Sequence, residues 1–518
     1  MGHGEQLVIQ ERNESGSLRA AYEIRGDSTE NEYTYDVRAV GRGRSLGLTQ
    51  LLQDVFLPAG YPASVSSDYS KYQILNALQA FCSSLAGLIA SRAVLEGHGV
   101  GQAEASATDA LLLTILQDIF SRITTIVSAY YLGTLLSPEA KTYRFLADIF
   151  NDIPLLLDTL SPLLSAYSLD IAYTSFPPFI YPTLAHRPGS LRGFALCLSG
   201  AFRAICGVAA GGSKAALTLH FAQPDSGTVS GDISDLSAKD GSKETVLALI
   251  GMLCGSAIMP YVQDQRTTYT LLILLVAAHI SINYFAVRAV TFRSLNRQRT
   301  SIVWDAFRNQ GSSKPPMTPQ LVSREERLFA DPCLLVRSEP GKARQVRGRC
   351  DMGSALSTII PCRPPSRSPW QALLGRQECP WWTGGSPERW LPELLQLFEG
   401  DKYVVWFDAH ARRLSPPHLR VVLKTGHTAR DHIKAWILAT EVAASRTAKR
   451  ELGSIDVQSL LADVRSSKAV VDGLFPQFLE YVQNAKWDMD AAAGGLMTGL
   501  PVVIDVTTAS GLEDKKRR

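Results

Sequence analysis

Hydrophobic and polar positions divide the chain into a long apolar middle and two ordinary flanks. From Tyr72 to about Val290, apolar stretches alternate with short polar breaks. Tyr72–Ser91 runs twenty residues without a charge. That is long enough for a bilayer core of ~30 Å, although Gln73, Asn76 and Gln79 make it a polar span. Ser106–Ser137 predicts a second apolar helix. A third starts near Glu139, and Pro154 and Pro162 are expected to kink or end it. Ala195–Leu219 predicts a fourth, rich in Gly and Ala. Thr245–Gln263 predicts a fifth, with Ser242 in the N-cap position and Gly251 and Gly255 as a close-packing pair. Thr267–Val287, between Arg266 and Arg288, is the clearest span.

The flanks read differently. Within 1–50, Leu7–Gln10, Ala20–Arg25 and Glu32–Val40 alternate loosely, as short strands do. Ser45–Phe56 predicts an amphipathic helix suited to an interface. Residues 309–320 form a Gly, Ser, Lys and Pro linker, and the Arg/Pro/Ser stretch at 339–369 is expected to be disordered. From near Trp381, strands are expected at 402–407 and 419–424, with helices at 428–445 and 470–484. The expected fold is therefore mainly α: a polytopic helical membrane bundle of about 4–6 spans with a small C-terminal α+β domain. The expected boundaries are 1–50, polar with short strands; 51–305, helical membrane domain; 306–380, linker; and 381–518, α+β domain.

Composition changes this little. Over 518 residues, 46% hydrophobic content and a net charge of +3 average out the apolar middle, and the charge is too small to argue for nucleic acid. Eight cysteines are scattered without a CxxC pair, which argues against zinc and against a disulfide framework. No secretory signal is evident at the start, Glu5, Glu11 and Glu14 argue against a transit peptide, and Gln6 stands where myristoylation needs Ser or Thr. HExxH, GxSxG, Walker A and strand-borne GxGxxG motifs are absent in any credible context, so no catalytic residue is assigned. An aldehyde-reactive Lys214 or Lys239 is the one enzymatic alternative.

The fourth helix carries the candidate chemistry. At 100° per residue, Gly200, Arg203, Gly207, Gly211, Lys214 and Thr218 fall within about 80° of one another. Each cation costs roughly 2.5–3.5 kcal/mol at a membrane helix centre, and the apolar residues return only about 2–4 kcal/mol. The helix therefore needs neighbours or an anionic partner. One account is an anion or proton-coupled site built from Arg203, Gly207, Gly211, Lys214 and His220 with Lys239, Asp240 and Glu244 beyond. The other is a tight packing face whose cations pair with carboxylates. Asp118 and Arg122 form an i,i+4 pair, either self-neutralising in a bundle or a gate. Arg144, Asp148 and Asp152 form one stripe, either a solvated face or a cavity lining. His279 and Asn283 share a face, as pore lining or as paired polar packing. Arg288, Arg293, Arg297 and Arg299 form a basic flank, cytosolic under the positive-inside rule. Helices near 72–91, 106–137 and 140–160 match those near 195–220, 244–263 and 267–287 in pattern, and three-helix repeats are a transporter device.

Five stretches together resemble one family: LPAGYPASVSSDYSKYQ (57–73), FLADIFND (145–152), GVAAGGSKAALTLHFA (207–222), DLSAKDGSKETVLALIGMLCG (235–255) and LNRQR (295–299). The chain is similar to the root UVB sensitive family over about 35–305, and more weakly after 400. The resemblance implies a membrane protein, and for plant members a link to UV-B responses, seedling root development and vitamin B6 homeostasis. It brings no catalytic residues. The sequence departs from the family pattern at 171–190, 223–232 and 339–369. Two functions follow. The first is a multi-pass membrane protein that binds or moves a small anionic solute, such as a pyridoxal phosphate-like ligand. The second is a membrane-anchored interaction or scaffold protein in a signalling or developmental pathway, with a family member as partner. Membrane lipid is a partner in either case.

Overall fold

The computed structural model describes residues 6–12, 18–29, 32–42, 52–53, 55–97, 107–166, 191–224, 230–310, 315–338, 344–360, 382–383, 386–409, 411, 416–449, 455–489, 495–497 and 501–506. It divides into one unit of 1–136 with 140–290 and a second of 137–139 with 291–518. The first opens with an antiparallel meander: β1 (Gln6–Arg12), β2 (Leu18–Thr29) and β3 (Glu32–Arg42), in the order β1-β2-β3.

Six long helices follow: α1 (Tyr69–Gly97), α2 (Ala107–Leu132), α3 (Ala140–Leu160), α4 (Leu191–Phe221), α5 (Ile233–Ile258) and α6 (Gln265–Ala289). All but α3 are long and apolar enough to cross a membrane. At 1.5 Å per residue α3 is about 31 Å long, so length is not what separates it; its charges do. Pro154 sits inside α3 without ending it, and a 3₁₀ turn (Ser161–Ala166) takes over only after Leu160. The fifth helix begins earlier than expected. Asp232 is its N-cap, its side chain accepting from the Ser234 amide at 2.8 Å, so Ser242 lies three turns inside. Most of the Ser45–Phe56 segment and all of 171–190 lie outside the described residues.

Packing orders these helices in two inverted triplets. α1 packs along α5 and α6, and α4 packs along α2 and α3, so the first helix of each triplet sits on the last two of the other. Contacts along each pair give the directions. Tyr69, Asn76 and Ser84 bond Asp240, Glu244 and the Ala248 carbonyl in rising order, so α1 and α5 run parallel. Tyr72 meets Arg144 and Ser83 meets Asn151, so α1 and α3 run parallel too. Asp158 meets Arg203, and Ala147 clusters with Ala209, so α3 and α4 are antiparallel. Phe145 meets Tyr284 and Asp152 meets His279, so α3 and α6 are antiparallel. Gly200 lies on Gln117 and Gly212 on Leu136, aligning α4 with α2. The helices thus run up, down, up and then down, up, down. Outside, Leu111, Ile115, Ile119, Ile123 and Ile126 of α2 and Leu249 and Leu253 of α5 are exposed. Inside, charged groups are buried. This is the reverse of a water-soluble bundle.

The second unit is the small α+β fold. Its helices are α7 (Arg297–Gln310), α8 (Pro319–Glu325), α9 (Pro387–Leu397), α10 (Ala429–Lys449) and α11 (Val457–Asn484). Its main strands are β4 (Leu334–Arg337), β5 (Gln345–Met352), β7 (Tyr403–Phe407) and β8 (His418–Lys424); β6 (Trp382–Thr383), β9 (Ile455–Asp456) and β10 (Val503–Ile504) are short. β8 is the central strand, antiparallel to β7 and parallel to β5 and β10 on its other edge. β7 is buried at every position, as a strand covered on both faces must be. Stacked Trp390 and Trp406, with α10 and α11, complete the core. α7, β4 and β5, which the sequence pattern assigns to the membrane domain and the linker, fall in this unit. Arg299 of the expected basic flank is buried here against Glu326 at 2.9 Å.

Candidate functional site

A polar stripe on α1 organises the bundle interior. Tyr69, Tyr72, Asn76, Gln79 and Ser83 recur every three or four residues, so they share one face. Opposite stands the α3 stripe. Arg144 pairs with Asp148 at 3.1 Å and donates to Tyr72 Oη and Asn76 Oδ1, each at 3.2 Å. Gln79 donates to Asp148. Asn76 donates to Glu244 of α5 at 2.9 Å, and Glu244 takes Lys214 of α4 at 2.9 Å. One chain of hydrogen bonds therefore runs Lys214–Glu244–Asn76–Arg144–Asp148–Gln79 through four helices. The solvated-face account of Arg144, Asp148 and Asp152 does not hold: both carboxylates are buried.

Further pairs flank this chain. One turn beyond Asp148, Asp152 lies 2.8 Å from His279 Nδ1, both fully enclosed. Asn283, one turn further along α6, is 1% exposed, and neither of its amide atoms has a partner among the described residues. Asp158, buried near the end of α3, takes Arg203 of α4, whose own side chain stays half exposed.

Where α4 ends and α5 begins, the described residues are tied together by ion pairs and hydrogen bonds. Asp68 pairs with His220 at 3.0 Å, and Tyr69 donates to Asp240 at 2.8 Å beside Lys243. The amides of Ser66 and Gly231 donate to the carbonyls of Phe221 and Ala222. A Cβ on Gly231 would sit 2.5 Å from the Ser64 carbonyl, so only glycine allows the 57–68 segment to lie this close. The middle of α4 is less covered. Gly207 and Gly211 are exposed, and a Cβ on either would meet nothing within 4 Å. The close-packing expectation for this face holds at Gly200, against Gln117, and fails at Gly207 and Gly211. Gly251 and Gly255 do pack closely, against Ser84 and Leu88. The open strip of α4 is thus bounded by Arg203 at one end and Lys214 at the other.

The structure brings together Lys214 with Glu244, His220 with Asp68, and Asp240 with Tyr69. It does not bring Arg203 to Lys214; each has its own carboxylate. Asp118 and Arg122 are exposed on α2, outside this network, contrary to a buried pair. Sequence reasoning missed Tyr69, Tyr72 and Asp158 as site residues. The α1 spacing was the available signal for the two tyrosines.

A second ionic cluster lies in the other unit. His418 contacts Asp351 at 2.9 Å and Asp408 at 3.3 Å, and Arg420 bridges both carboxylates. The hydrogen bond from His418, aided by Arg420 against the opposing effect of burial, holds the Asp351 carboxyl down at about 2. Among the described residues no group of His, Cys, Asp and Glu is arranged to hold a metal ion.

Comparison with known proteins bears on the whole chain. Residues 43–177 and 178–311 match the family described as "Vitamin B6 photo-protection and homoeostasis domain", and residues 398–493 match "Root UVB sensitive protein, C-terminal". RUS family member 1 of Dictyostelium discoideum is 35% identical over 277 residues, which is 53% of this chain and 47% of that protein. Protein root UVB sensitive 3 of Arabidopsis thaliana is 30% identical over 305 residues, 59% of this chain and 61% of that protein. Protein root UVB sensitive 2, chloroplastic, of the same plant is 23% identical over 86% of this chain and 83% of its own length. The matched segment thus spans about half of the first relative and under two thirds of the second. No solved structure matches. Because its bundle and its C-terminal unit match the family's two domains in turn, the chain belongs to the root UVB sensitive family.

Proposed function

We propose that this chain is a multi-pass membrane protein that binds a small anionic solute on the open strip of α4 and carries it across the bilayer. The observation that carries the reading is the strip itself: two glycines facing open space between two cations, on a bundle whose outer surface is otherwise largely apolar. Glycine allows a ligand to approach backbone closely, and Arg203 and Lys214 supply charge-assisted donors. Inverted triplets around a polar centre are the architecture of alternating-access carriers. The family description names vitamin B6, and the two cations favour a phosphorylated vitamer as the solute class.

The test uses the full chain in vesicles with pyridoxine 5′-phosphate, which lacks the aldehyde and forms no lysine adduct. Uptake above empty vesicles, lost in the Arg203→Gln/Lys214→Gln double variant, supports the reading. Equal uptake by the folded double variant refutes it.

One observation favours a second reading, a membrane-anchored interaction protein. Only 6% of the apolar stretch of α2 is buried, and Tyr130 and Tyr131 stand exposed at its end. Crosslinking from Tyr130→Cys to a second copy in native membranes, without solute uptake, would favour it.

A further inference from the structure

We infer that anion binding at the α4 strip is coupled to uptake of one proton by the buried Asp152–His279 pair, so that the solute moves together with a proton. This rests on the reading of the strip as an anion site and adds the coupling ion.

The interior charges set the argument. Asp148, Asp158 and Glu244 are each paired with an Arg or a Lys, whose charges are fixed near neutral pH. Asp152 is paired with a histidine, as Asp68 is with His220 at the bundle end, and histidine is the one side chain among these partners whose charge changes in that range. The pair is enclosed on every side. From α3 it is faced by Asp148 and by Asn151, whose amide reaches Asp152 at 3.5 Å and Ser83 at 3.1 Å. Arg144 stands one turn further back on the same helix. From α1 come the uncharged Gln79 and Ser83. From α4 comes Cys206, half-buried against the Ala147–Ala209 cluster between α3 and α4. From α6 comes Asn283, with a buried, unpartnered amide. Among the described residues no fixed cation bonds Asp152 itself, so a neutral His279 leaves one carboxylate charge uncompensated in the interior.

The proton step balances simply. The Asp152 carboxylate accepts from His279 Nδ1–H, so an incoming proton goes to Nε2 and converts neutral imidazole to imidazolium; no other bond changes. The gain of one positive charge offsets the negative charge that an anion brings to the strip. The strip and the pair are joined through groups already described: Lys214, Glu244, Asn76, Arg144 and Asp148, with Asp152 one turn further along α3. Displacing Glu244 from Lys214 by an anion disturbs the partner of Asn76, and hence of Arg144 and Asp148. That alters the hydrogen bonding around Asp148, one turn from Asp152 on α3.

The experiment is calorimetric titration of pyridoxine 5′-phosphate into the full chain in detergent, in two buffers of different ionisation enthalpy, from pH 6 to 8. Coupling predicts uptake of close to one proton per bound ligand and therefore an affinity that weakens with rising pH, by about tenfold per pH unit for one proton taken up. Asp152→Asn and, separately, His279→Gln should bind the ligand with this component removed. The ligand's own phosphate ionisation is common to all three proteins and cancels in the comparison. Retained thermal unfolding and elution profiles establish that each variant is folded, and a variant that fails to fold leaves the other to decide. Wild-type binding with a pH dependence equal to that of the folded variants overturns the coupling and leaves the anion site standing. Absence of binding to the wild type overturns both.

Discussion

The openness of the α4 strip can be tested by adding one carbon at a time. Gly→Ala in a helix interior gains about 0.8–1 kcal/mol from backbone propensity, provided the new methyl meets nothing. At Gly207 and Gly211 it meets nothing within 4 Å, so each substitution should stabilise the bundle by up to about 1 kcal/mol. At Gly251 the methyl would lie 2.9 Å from Ser84 Cβ and 3.1 Å from the Phe81 carbonyl. The second of these is backbone and cannot turn aside, so α1 and α5 must separate. Overpacking of this kind costs about 1–3 kcal/mol and outweighs the propensity gain. The two classes should therefore differ by roughly 1–3 kcal/mol in opposite directions.

All eight tryptophans lie at or beyond Trp304, so intrinsic fluorescence reports the C-terminal unit. The assay for the bundle is instead thiol accessibility on heating in detergent: Cys82 and Cys197 are buried in α1 and α4 and become reactive only when those helices part. Gly251→Ala should expose them at lower temperature, and Gly207→Ala and Gly211→Ala at the same temperature or higher. If Gly207→Ala destabilised as much as Gly251→Ala, α4 would be packed along that face and the proposed site would have no room for a ligand.

Two further predictions concern the C-terminal unit. Asp463 is wholly buried on α11 between Arg446, at 3.2 Å, and Lys449. Removing it as Asp463→Ala strands the buried Arg446 and should cost about 3–5 kcal/mol, read from the tryptophan-detected urea midpoint; a loss under about 1 kcal/mol would mean that the pair behaves as a surface bridge. Burial, reinforced by neighbouring His427, depresses His432 to about 4. The unfolded chain takes up this proton near 6.5 and the folded one near 4, so the stability due to neutral His432 is present above about 6.5 and is lost as pH falls towards 4. His432→Gln should flatten that part of the stability–pH curve, and an unchanged slope would show that another group is responsible.

The helices of the bundle were legible because apolar runs longer than the bilayer core have few other uses, and α1, α4 and α6 fall within a few residues of the expected spans. What the runs did not reveal was which polar positions face inward. Arg144, Asp148 and Asp152 at spacing four describe a solvated stripe as well as a buried one. The difference lies in Tyr72, Asn76 and Gln79, about seventy residues earlier, which present the matching face. Ser242 illustrates a local error of the same kind: it is a good cap by type, but Asp232 caps first and the helix continues past it. β5 escaped notice because QVRGRCDM is polar and lacks strand alternation; its pairing with β8, some seventy residues further on, fixes it as a strand.

The glycines of α4 give the sharpest case, because one spacing rule met two outcomes. Gly200 and Gly212 touch α2 and the Leu136 turn, while Gly207 and Gly211 touch nothing. Small residues every four positions therefore mark a face that something approaches closely, and the neighbouring charges bear on what that something is. Around Gly251 and Gly255 the pattern carries no charge, and the approaching group is helix α1. Around Gly207 and Gly211 it is bracketed by Arg203 and Lys214, each held by a carboxylate from a different helix, Asp158 of α3 and Glu244 of α5. On the proposed function, an anion at either cation competes with that cation's own carboxylate, since Arg203 and Lys214 lie eleven residues, about 16 Å, apart along the helix. At Arg203 it acts on α3, in the first triplet, and at Lys214 on α5, in the second. The same two ion pairs that make α4 tolerable inside an apolar bundle are thus the contacts through which a bound solute would shift one triplet against the other.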